Sequence, residues 1–247
     1  MKTKVKNLVV DQGNSSVKLA LFNQDNELVH LVRSYENTLS KLEDLLEEYE
    51  FEAAIYAATG QVDNDIVQRL KSIHMFLELK NKKAFLDFID YESPESLGFD
   101  RLSNAVAARS IYPNEHVLVI DIGTCITYDV INANGMFQGG AISPGPKLRN
   151  RSMNDYTANL PLVELEFAPS FIGKNTNESL QSGIMHGIVY EIDGYIDALA
   201  KKHEKLTTII TGGYTILFAN AVKNAIFADS NFTLKGYNAI LNHHDAG

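Results

Sequence analysis

The sequence contains a single cysteine, and this scarcity already limits the setting in which the protein works. Cys125 has no second cysteine with which to form an intrachain disulfide, which fits a reducing compartment. No secretion signal follows Met1, and no apolar run approaches the ~20 residues that a bilayer-spanning helix needs. These absences predict a cytoplasmic protein that has no membrane partner.

Basic side chains are also few relative to acidic ones. Lys and Arg number 22 against 31 Asp and Glu, which gives a net charge of −9. Proteins that bind nucleic acid usually display a basic patch or stripe, so we expect no nucleic-acid partner. The dense charge run at 43–52 falls on a predicted helix and is best explained as a solvated face.

Two familiar nucleotide-binding loops are missing, and a repeated pattern is present instead. The sequence has no G-x-x-x-x-G-K-[ST] motif, and no G-x-G-x-x-G follows a strand-like run. Residues 8–23 read LVVDQGNSSVKLALFN, and residues 118–133 read LVIDIGTCITYDVINA. An offset of 110 residues aligns Asp11 with Asp121, Gly13 with Gly123, Asn14 with Thr124 and Leu21 with Ile131.

Each copy of the pattern predicts a strand, a turn and a second strand whose chemistry suits phosphate. The first strand carries its aspartate to the carboxyl end, where the carboxylate can meet a metal ion or a phosphate-bound water. Glycine allows a tight turn and a close backbone approach, while Asn, Ser and Thr donate hydrogen bonds to phosphate oxygens. One D-x-G hairpin is commonplace, but two copies in one chain predict two halves that face each other across a nucleotide.

The remaining pattern predicts an α/β protein of two mixed-sheet domains. The 247 residues, 45% of them apolar, allow one large domain or two of about 110–130 residues. We predict domains at 1–113 and 114–247, each opening with the order βββαβαβ, and a frayed tail at 242–247. Strands are predicted at 5–11, 16–22, 27–33, 53–58, 73–79, 116–122, 125–131, 136–142 and 207–211, and helices at 39–50, 63–72, 96–111, 147–155, 177–203 and from 214.

Seven motifs in a fixed order carry a family resemblance that covers nearly the whole chain. The doubled hairpin with a later Thr-Gly-Gly resembles the actin, sugar kinase and heat-shock ATPase superfamily, and the full set is similar to the type III pantothenate kinases. The motifs are DQGNSSVK (11–18), ESPESLGFDRLSNAVAA (92–108), DIGTCITYD (121–129), GGAISPG (139–145), TANLP (157–161), GKNTNESLQSG (173–183) and TGG (211–213).

This resemblance implies two related RNase H-like domains in an actin-like ATPase fold. It also implies a kinase that uses ATP to convert pantothenate into 4′-phosphopantothenate, the first step of coenzyme A biosynthesis. Such an enzyme would be a homodimer that needs Mg²⁺ and a monovalent cation, K⁺ or NH₄⁺. Two other functions stay open: a superfamily kinase with another small hydroxylated substrate, and a transcription-linked regulator like the Bvg accessory factors.

The resemblance assigns the acceptor site mainly to the G-x-D-R motif. Asp100 would be the general base for the pantothenate hydroxyl, the alternative being a helix N-cap. Arg101 would hold the anionic substrate, against the alternative of a surface salt bridge. Phe99 replaces the alanine that the family often has, so its ring either narrows the pocket or packs behind it. Tyr91 could equally be a partly buried aromatic residue, and Thr176 a helix N-cap. The implied acceptor-binding set is Tyr91, Gly98, Phe99, Asp100, Arg101 and Thr176.

The resemblance assigns ATP and the cations to the two hairpins and the Gly-Gly turn. Asp11 would lie near the Mg²⁺-bound phosphates, Asp121 would bind the monovalent cation, and the turn 211–213 would touch the adenosine. We expect the Lys18 side chain to be exposed to solvent. The implied ATP-binding set is Asp11, Gln12, Gly13, Asn14, Ser15, Ser16, Val17, Lys18 and Thr124.

Three other features have simpler explanations. Cys125 is expected to be a packed thiol. His243 and His244 are adjacent on the tail and lack metal-ligand spacing. Gly183 and Gly187, four residues apart, would permit close helix packing, which makes their helix a candidate for the homodimer interface.

Overall fold

The computed structural model describes residues 2–224 and 226–245, which form two compact units. The first unit comprises Met1–Ile111 with Phe232–Gly247, and the second comprises Tyr112–Asn231. In chain order the elements are β1 (Thr3–Gln12), β2 (Val17–Phe22), β3 (Leu28–Ser34), α1 (Thr38–Glu48), β4 (Tyr49–Ala58), α2 (Asn64–Leu70), β5 (Met75–Glu78), two short 3-10 turns (Lys83–Phe88 and Pro94–Ser96), α3 (Phe99–Ile111), β6 (His116–Ile122), β7 (Cys125–Ile131), β8 (Phe137–Pro144), α4 (Pro146–Asp155), α5 (Thr176–Ala200), β9 (Leu206–Thr211), α6 (Thr215–Ala219), β10 (Phe227–Ala228) and α7 (Phe232–Asp245).

The first unit is built on a mixed five-stranded sheet in the order β3-β2-β1-β4-β5. β1 is antiparallel to β2 and parallel to β4, so Asp11 stands opposite Lys18 on one side and Ala57 on the other. Residues 8–10 are fully buried because helices cover both faces of this central strand. The carboxyl ends of β1 and β4 therefore lie at one edge of the sheet, and Asp11 lies there with them.

The helices of the first unit bury apolar stripes against this sheet. α1 and α2 pack Leu42 and Ile66 into the same cluster as Leu8 of β1. α3 and α7 pack against each other, and Gly236 of α7 lies so near Ser103 that a β-carbon would overlap the Ser103 carbonyl oxygen. This close approach requires glycine, and it ties α7 to the helix that begins with the G-x-D-R motif.

The second unit follows the same plan, with the strand order β10-β9-β6-β7-β8. β6 is antiparallel to β7 and parallel to β9, which places Asp121 opposite Thr127 and Thr211. The long helix α5 buries Ile188 and Ile192 in the core beside the sheet. Across the described residues, no helix combines the length and the apolar character that crossing a membrane would demand. The predicted α/β class with two mixed sheets is confirmed.

The end of the chain is where the structure departs from the predicted organisation. We predicted 114–247 as one domain with a frayed tail, but α7 continues to Asp245 and belongs to the first unit. The Asn7 amide fixes it there, donating to Asn238 at 2.7 Å and to Asn242 at 2.9 Å. The spacing of apolar residues shows that a helix must bury one face against an apolar surface. It does not show which of the two sheets provides that surface. The helix predicted from 214 ends at Ala219, β10 and α7 were not predicted, and residues 246 and 247 lie outside the described residues.

The two hairpins that carry the repeated pattern differ in the length of their turns. In the first, the Gly13 N–H donates to the Ser16 carbonyl at 3.0 Å. In the second, the Gly123 N–H donates to the Cys125 carbonyl at 2.9 Å, so the turn is one residue shorter.

This difference shifts the correspondence of the second strands. Lys18 and Thr127 stand opposite the two aspartates, which reduces the offset from 110 to 109 residues after the turn. The predicted match of Leu21 with Ile131 is therefore wrong by one position, and Leu21 corresponds to Val130. A turn can change length without disturbing the strand that precedes it, which is why the offset holds only up to the glycines.

Candidate active site

The first hairpin ends in a shielded ion pair. Asp11 is 5% exposed, and Lys18 Nζ lies 3.0 Å from Asp11 Oδ2. The contact follows from register, because the two residues are direct cross-strand partners. Our expectation of a solvent-exposed Lys18 side chain is therefore wrong. A cation beside Asp11 adds positive charge at the edge where phosphates are expected.

The turn between β1 and β2 presents its backbone and small polar side chains. Asn14 and Ser15 are exposed at its tip, and the bond between Gly13 and Ser16 closes it. A concave turn of this kind can offer N–H groups to an anion without a helix N-terminus. Val17 instead packs against the core, so only its backbone can reach a ligand.

The Gln12 side chain is turned away from this turn. Its carboxamide accepts a hydrogen bond from the Tyr56 hydroxyl and donates to the Gln61 carbonyl at 2.7 Å. The Gln12 carbonyl accepts from the Thr59 N–H at 3.0 Å. These bonds fasten the loop 59–63 to the end of β1, so the predicted ATP contact of Gln12 does not involve its side chain in this arrangement.

Asp100 lies in the first turn of α3 and does not cap the helix. The Leu102 N–H donates to the Gly98 carbonyl at 3.0 Å, which makes Gly98 the N-cap. Asp100 Oδ1 accepts from the Arg101 N–H at 2.8 Å. A β-carbon at Gly98 would overlap the same carboxylate oxygen, so glycine is what leaves room for the aspartate.

The surroundings of Asp100 make its carboxylate more basic. Burial raises the pKa of Asp100, and the negative charge of Asp11 raises it further, against the opposing effects of the Arg101 N–H and guanidinium. A general base works best when its pKa approaches the working pH. Desolvation together with a specific charged neighbour is also typical of functional carboxylates.

Arg101 is buried and does not form the surface salt bridge that was its alternative. It is 5% exposed, and its guanidinium carbon lies 5.9 Å from the centroid of the Tyr91 ring. At this distance the cation is attracted to the ring face. The structure thus joins two of the residues assigned to the acceptor, and a guanidinium held in this way suits a carboxylate.

Phe99 faces a pocket of about 420 Å³ at the carboxyl ends of β4 and β5. Neither Arg101 nor Tyr91 lines this pocket. Lys82 Nζ lies 4.3 Å from the centroid of the Phe99 ring, where the cation is attracted to the ring face. The ring therefore shapes a space next to the Arg101–Tyr91 pair, not the pair itself.

In the second unit, Asp121 lies near the end of β6 against a glycine turn. Gly212 has φ +96°, a left-handed conformation that glycine adopts readily. A β-carbon at Gly212 would overlap Asp121 Oδ1 and the Ile122 carbonyl oxygen. The TGG turn thus lies directly on the end of β6, beside a carboxylate and a carbonyl oxygen that are suitable ligands for a monovalent cation.

The tip of the second hairpin is open to solvent. Thr124 and Cys125 are both exposed. The expected packed thiol at Cys125 is wrong because Cys125 is the first residue of β7 and lies at the exposed hairpin tip. Asp129, on the same face of the strand but farther from the tip, is fully buried.

Thr176 begins α5 in the second unit and is exposed. It is not the helix cap, because the Asn175 side chain accepts from the Glu178 N–H at 2.9 Å. The Glu178 side chain in turn accepts from the Lys174 N–H at 2.8 Å, one residue before the cap, which further fixes the start of the helix. The Thr176 hydroxyl is thereby not needed to start the helix.

One polar residue of the second unit was missed by sequence inspection. Glu191 of α5 accepts hydrogen bonds from Tyr128, Ser143 and Arg149. Its position between the apolar residues Ile188, Val189 and Ile192 of α5, all of them buried, is the signal that could have found it, because a charge at such a position needs partners.

The carboxylates of the first unit fit a nucleotide-bound magnesium ion. Among the described residues, no three or more His, Cys, Asp or Glu side chains form a metal cage. A magnesium ion bound to a nucleotide needs fewer protein ligands, because one or two carboxylates together with the phosphates are enough. Asp11, whose charge acts on Asp100, satisfies that requirement.

Solved structures share this architecture. A Baf family protein from Campylobacter jejuni, for which a role as transcriptional activator is suggested, has a TM-score of 0.60 at 23% identity and covers 97% of this chain and 100% of its own. A ROK family glucokinase from Streptomyces griseus, solved with glucose and AMPPNP, has a TM-score of 0.55 at 11% identity and covers 96% and 99%. At these identities the likeness concerns the fold, which is the actin-like ATPase fold that the resemblance implied.

Sequence comparison gives the family. The family model described as type III pantothenate kinase matches residues 7–198. A type III pantothenate kinase from Christiangramia forsetii is 39% identical over 236 residues, which is 95% of this chain and 97% of the relative. The chain therefore belongs to the type III pantothenate kinase family.

Proposed function

We propose that the protein transfers the terminal phosphoryl group of ATP to the hydroxyl of pantothenate, giving 4′-phosphopantothenate and ADP at the start of coenzyme A biosynthesis. The observation that carries the proposal is the start of α3, where a half-buried carboxylate of raised pKa adjoins the buried Arg101 guanidinium. This pairing supplies a base for a hydroxyl and a cation for a carboxylate, and pantothenate has both groups.

Asp100 is the proposed general base. The acceptor oxygen bonds to the γ-phosphorus while the bond to the ADP oxygen breaks, and the hydroxyl proton passes to the Asp100 carboxylate. In phosphoryl transfer such a base mainly orients the nucleophile, so a carboxylate held by the Arg101 N–H at 2.8 Å is well suited. Its raised pKa favours acceptance of the proton.

The acceptor is proposed to bind beside the same helix turn. Arg101 would pair with the pantothenate carboxylate, and the Tyr91 ring 5.9 Å away limits how the guanidinium can turn. Gly98 leaves the space that a side chain would fill, and Phe99 forms the neighbouring wall. Thr176 would contribute its exposed hydroxyl.

ATP is proposed to place its phosphates at the first hairpin. Residues 14–16 would donate through the turn backbone and polar side chains, Gly13 would allow the turn to approach the phosphates, and Lys18 beside Asp11 would offset phosphate charge. Thr124 and the turn at Gly212 would contact the nucleotide from the second unit. Asp11 would hold Mg²⁺ and Asp121 a monovalent cation, K⁺ or NH₄⁺; these ions neutralise charge on the phosphates.

We also propose a cytoplasmic homodimer. One face of α5 carries Gly183, Gly187, Tyr190 and Gly194 at helical spacing, and no atom lies within 4 Å of a β-carbon built at Gly183 or Gly194. Tyr190 is 63% exposed, and Phe171 before the helix is 65% exposed. A second copy would bury this apolar surface.

Sedimentation of the wild type and of Tyr190→Asp tests the proposed homodimer. A wild-type monomer at micromolar concentration would contradict it.

The deciding experiment measures ADP release with pantothenate, Mg²⁺ and ATP, in K⁺ and in Na⁺, with the product identified by mass spectrometry. We expect pantothenate-dependent turnover that is faster in K⁺. Protein that binds nucleotide but releases no ADP with pantothenate would overturn the acceptor assignment and favour another small hydroxylated substrate. Salt-sensitive binding to duplex DNA would instead favour the regulatory alternative.

A further inference from the structure

Glu191 is a half-buried carboxylate on which three elements of the second unit converge. Its Oε1 accepts from the Tyr128 hydroxyl of β7 at 2.7 Å and from the Ser143 hydroxyl of β8 at 2.5 Å. Its Oε2 accepts from the Arg149 guanidinium of α4 at 2.5 Å. The Glu191 and Arg149 side chains are 24% and 21% exposed, so this charge-assisted bond is partly shielded from water.

Arg149 connects this carboxylate to the tip of the second hairpin. Its Nε donates to the Pro144 carbonyl at 2.8 Å, and the next residue, Gly145, donates its N–H to the Thr124 carbonyl at 3.0 Å. Gly145 packs closely against the hairpin tip, because a β-carbon at this position would overlap the carbonyl oxygens of Gly123 and Thr124. The segment 144–145 therefore packs directly against the Thr124 backbone and is hydrogen-bonded to it.

We propose that Glu191 is a positioning residue for nucleotide binding. It holds the Arg149 guanidinium, which holds the Pro144 carbonyl, and the segment 144–145 keeps Thr124 where it meets ATP. Energetic coupling passes through contiguous contacts of this kind. The inference rests on the proposed function in one respect, the contact between Thr124 and the nucleotide.

The charge state of Glu191 agrees with this role. Burial alone would raise the pKa of Glu191, but the hydrogen bonds from Ser143, Arg149 and Tyr128 together lower it. The side chain is therefore ionised at neutral pH, which the ion pair with Arg149 requires. Burial, together with the same bond to Glu191, raises the pKa of Tyr128, so its hydroxyl remains a donor.

The test variant is Glu191→Gln. A glutamine oxygen can still accept from Tyr128 and Ser143, but its amide nitrogen would meet the Arg149 donor where Oε2 now accepts. The matched control is Asp197→Asn on the same helix. Asp197 pairs with Lys223 at 2.7 Å and joins α5 to a different segment.

Calorimetric titration with Mg²⁺ and a non-hydrolysable ATP analogue, without acceptor, is the measurement. We expect Glu191→Gln to raise the Kd about tenfold and Asp197→Asn to leave it within about twofold. In turnover assays the KM for ATP should rise and the KM for pantothenate should not. Wild-type affinity in Glu191→Gln would overturn the proposal, and so would equal weakening in both variants, which would indicate general destabilisation of α5.

Two milder variants keep the test decisive if Glu191→Gln does not fold. Ser143→Ala and Tyr128→Phe each remove one donor to Glu191 and preserve shape, and each should weaken analogue binding by about two- to fivefold. Unchanged affinity in both would refute the role of Glu191. A wild type that binds the analogue but does not phosphorylate pantothenate would refute the acceptor assignment and leave this test readable.

Discussion

Asp100 is subject to two opposing requirements. Chemistry needs a carboxylate that can accept a proton, and burial next to Asp11 supplies the raised pKa. The same surroundings lower the stability of the folded state. An ionised carboxylate that is desolvated and lies near a second negative charge disfavours folding. The bond from the Arg101 N–H offsets part of that cost. Activity and stability should therefore respond to this side chain in opposite directions.

Asp100→Asn should lower kcat by about 10²- to 10⁴-fold, as expected for loss of a general base, while nucleotide binding stays nearly unchanged. A raised folded-state pKa means that ionisation at pH 7 destabilises the fold, so the neutral amide should also raise the Tm. Asp87→Asn, at an exposed position, is the control and should change neither quantity. Wild-type turnover by Asp100→Asn would remove the base assignment.

The dependence of kcat/KM on pH tests the proposed role of Asp100 independently. Because the base must be deprotonated to accept the hydroxyl proton, kcat/KM should fall as pH falls through the pKa of Asp100. Burial places that pKa above the ordinary aspartate value of about 3.9, so the acid limb should lie at higher pH than an exposed aspartate would give. A profile that stays level down to pH 4 would contradict the raised pKa.

At the scale of elements, glycine turns place the functional groups of both hairpins. Gly13 closes the four-residue turn after β1, and Gly212 lets the TGG turn lie on the end of β6. The loop 59–63 is attached to the first hairpin through Gln12 and Tyr56. Of these, the approach at Gly212 is the one that a larger side chain would prevent.

Gly212→Ala should test this dependence. The substitution introduces a β-carbon at φ +96° that would overlap Asp121 Oδ1. We expect the free energy of unfolding to fall by about 1–3 kcal/mol and nucleotide binding to weaken. Asn134→Ala, on an exposed turn of the second unit, is the control and should leave both quantities nearly unchanged. Denaturant titration of both variants separates the two cases, and equal stability would refute the close approach.

At the scale of the whole molecule, the chain leaves the first unit after Ile111 and returns to it with α7. The return is specified by polar as well as apolar contacts. Asn7 donates to Asn238 and Asn242, and both of those amides donate to Asn26. A network whose buried members are all bonded to one another specifies a single arrangement of the helix on the sheet.

Asn7→Ala should destabilise the first unit by about 1–3 kcal/mol, because it leaves the acceptors of Asn238 and Asn242 without their donor. Asn134→Ala, on an exposed turn of the second unit, is the control and should change stability by no more than about 0.5 kcal/mol. Unfolding followed by urea would measure both. Equal midpoints for the two variants would show that the network does not hold α7.

The sequence by itself determined the fold class and the family of the protein, and it predicted the residues of the site. The two strand-turn-strand patterns with aspartate and glycine are local features, so they single out Asp11 and Asp121 as candidates, because backbone conformation and residue chemistry act over a few neighbouring positions. The family resemblance added the proposed role of Asp100 in the G-x-D-R motif and the substrate.

Only the tertiary structure decided which side chains meet. Strand register placed Lys18 opposite Asp11, and the position of Cys125 at the hairpin tip left its thiol exposed. The fold brought Glu191 to Arg149 and returned α7 to the first unit. Each of these outcomes depends either on contacts between residues far apart in the chain or on the length of a turn. The periodicity of a single segment encodes neither of these two factors.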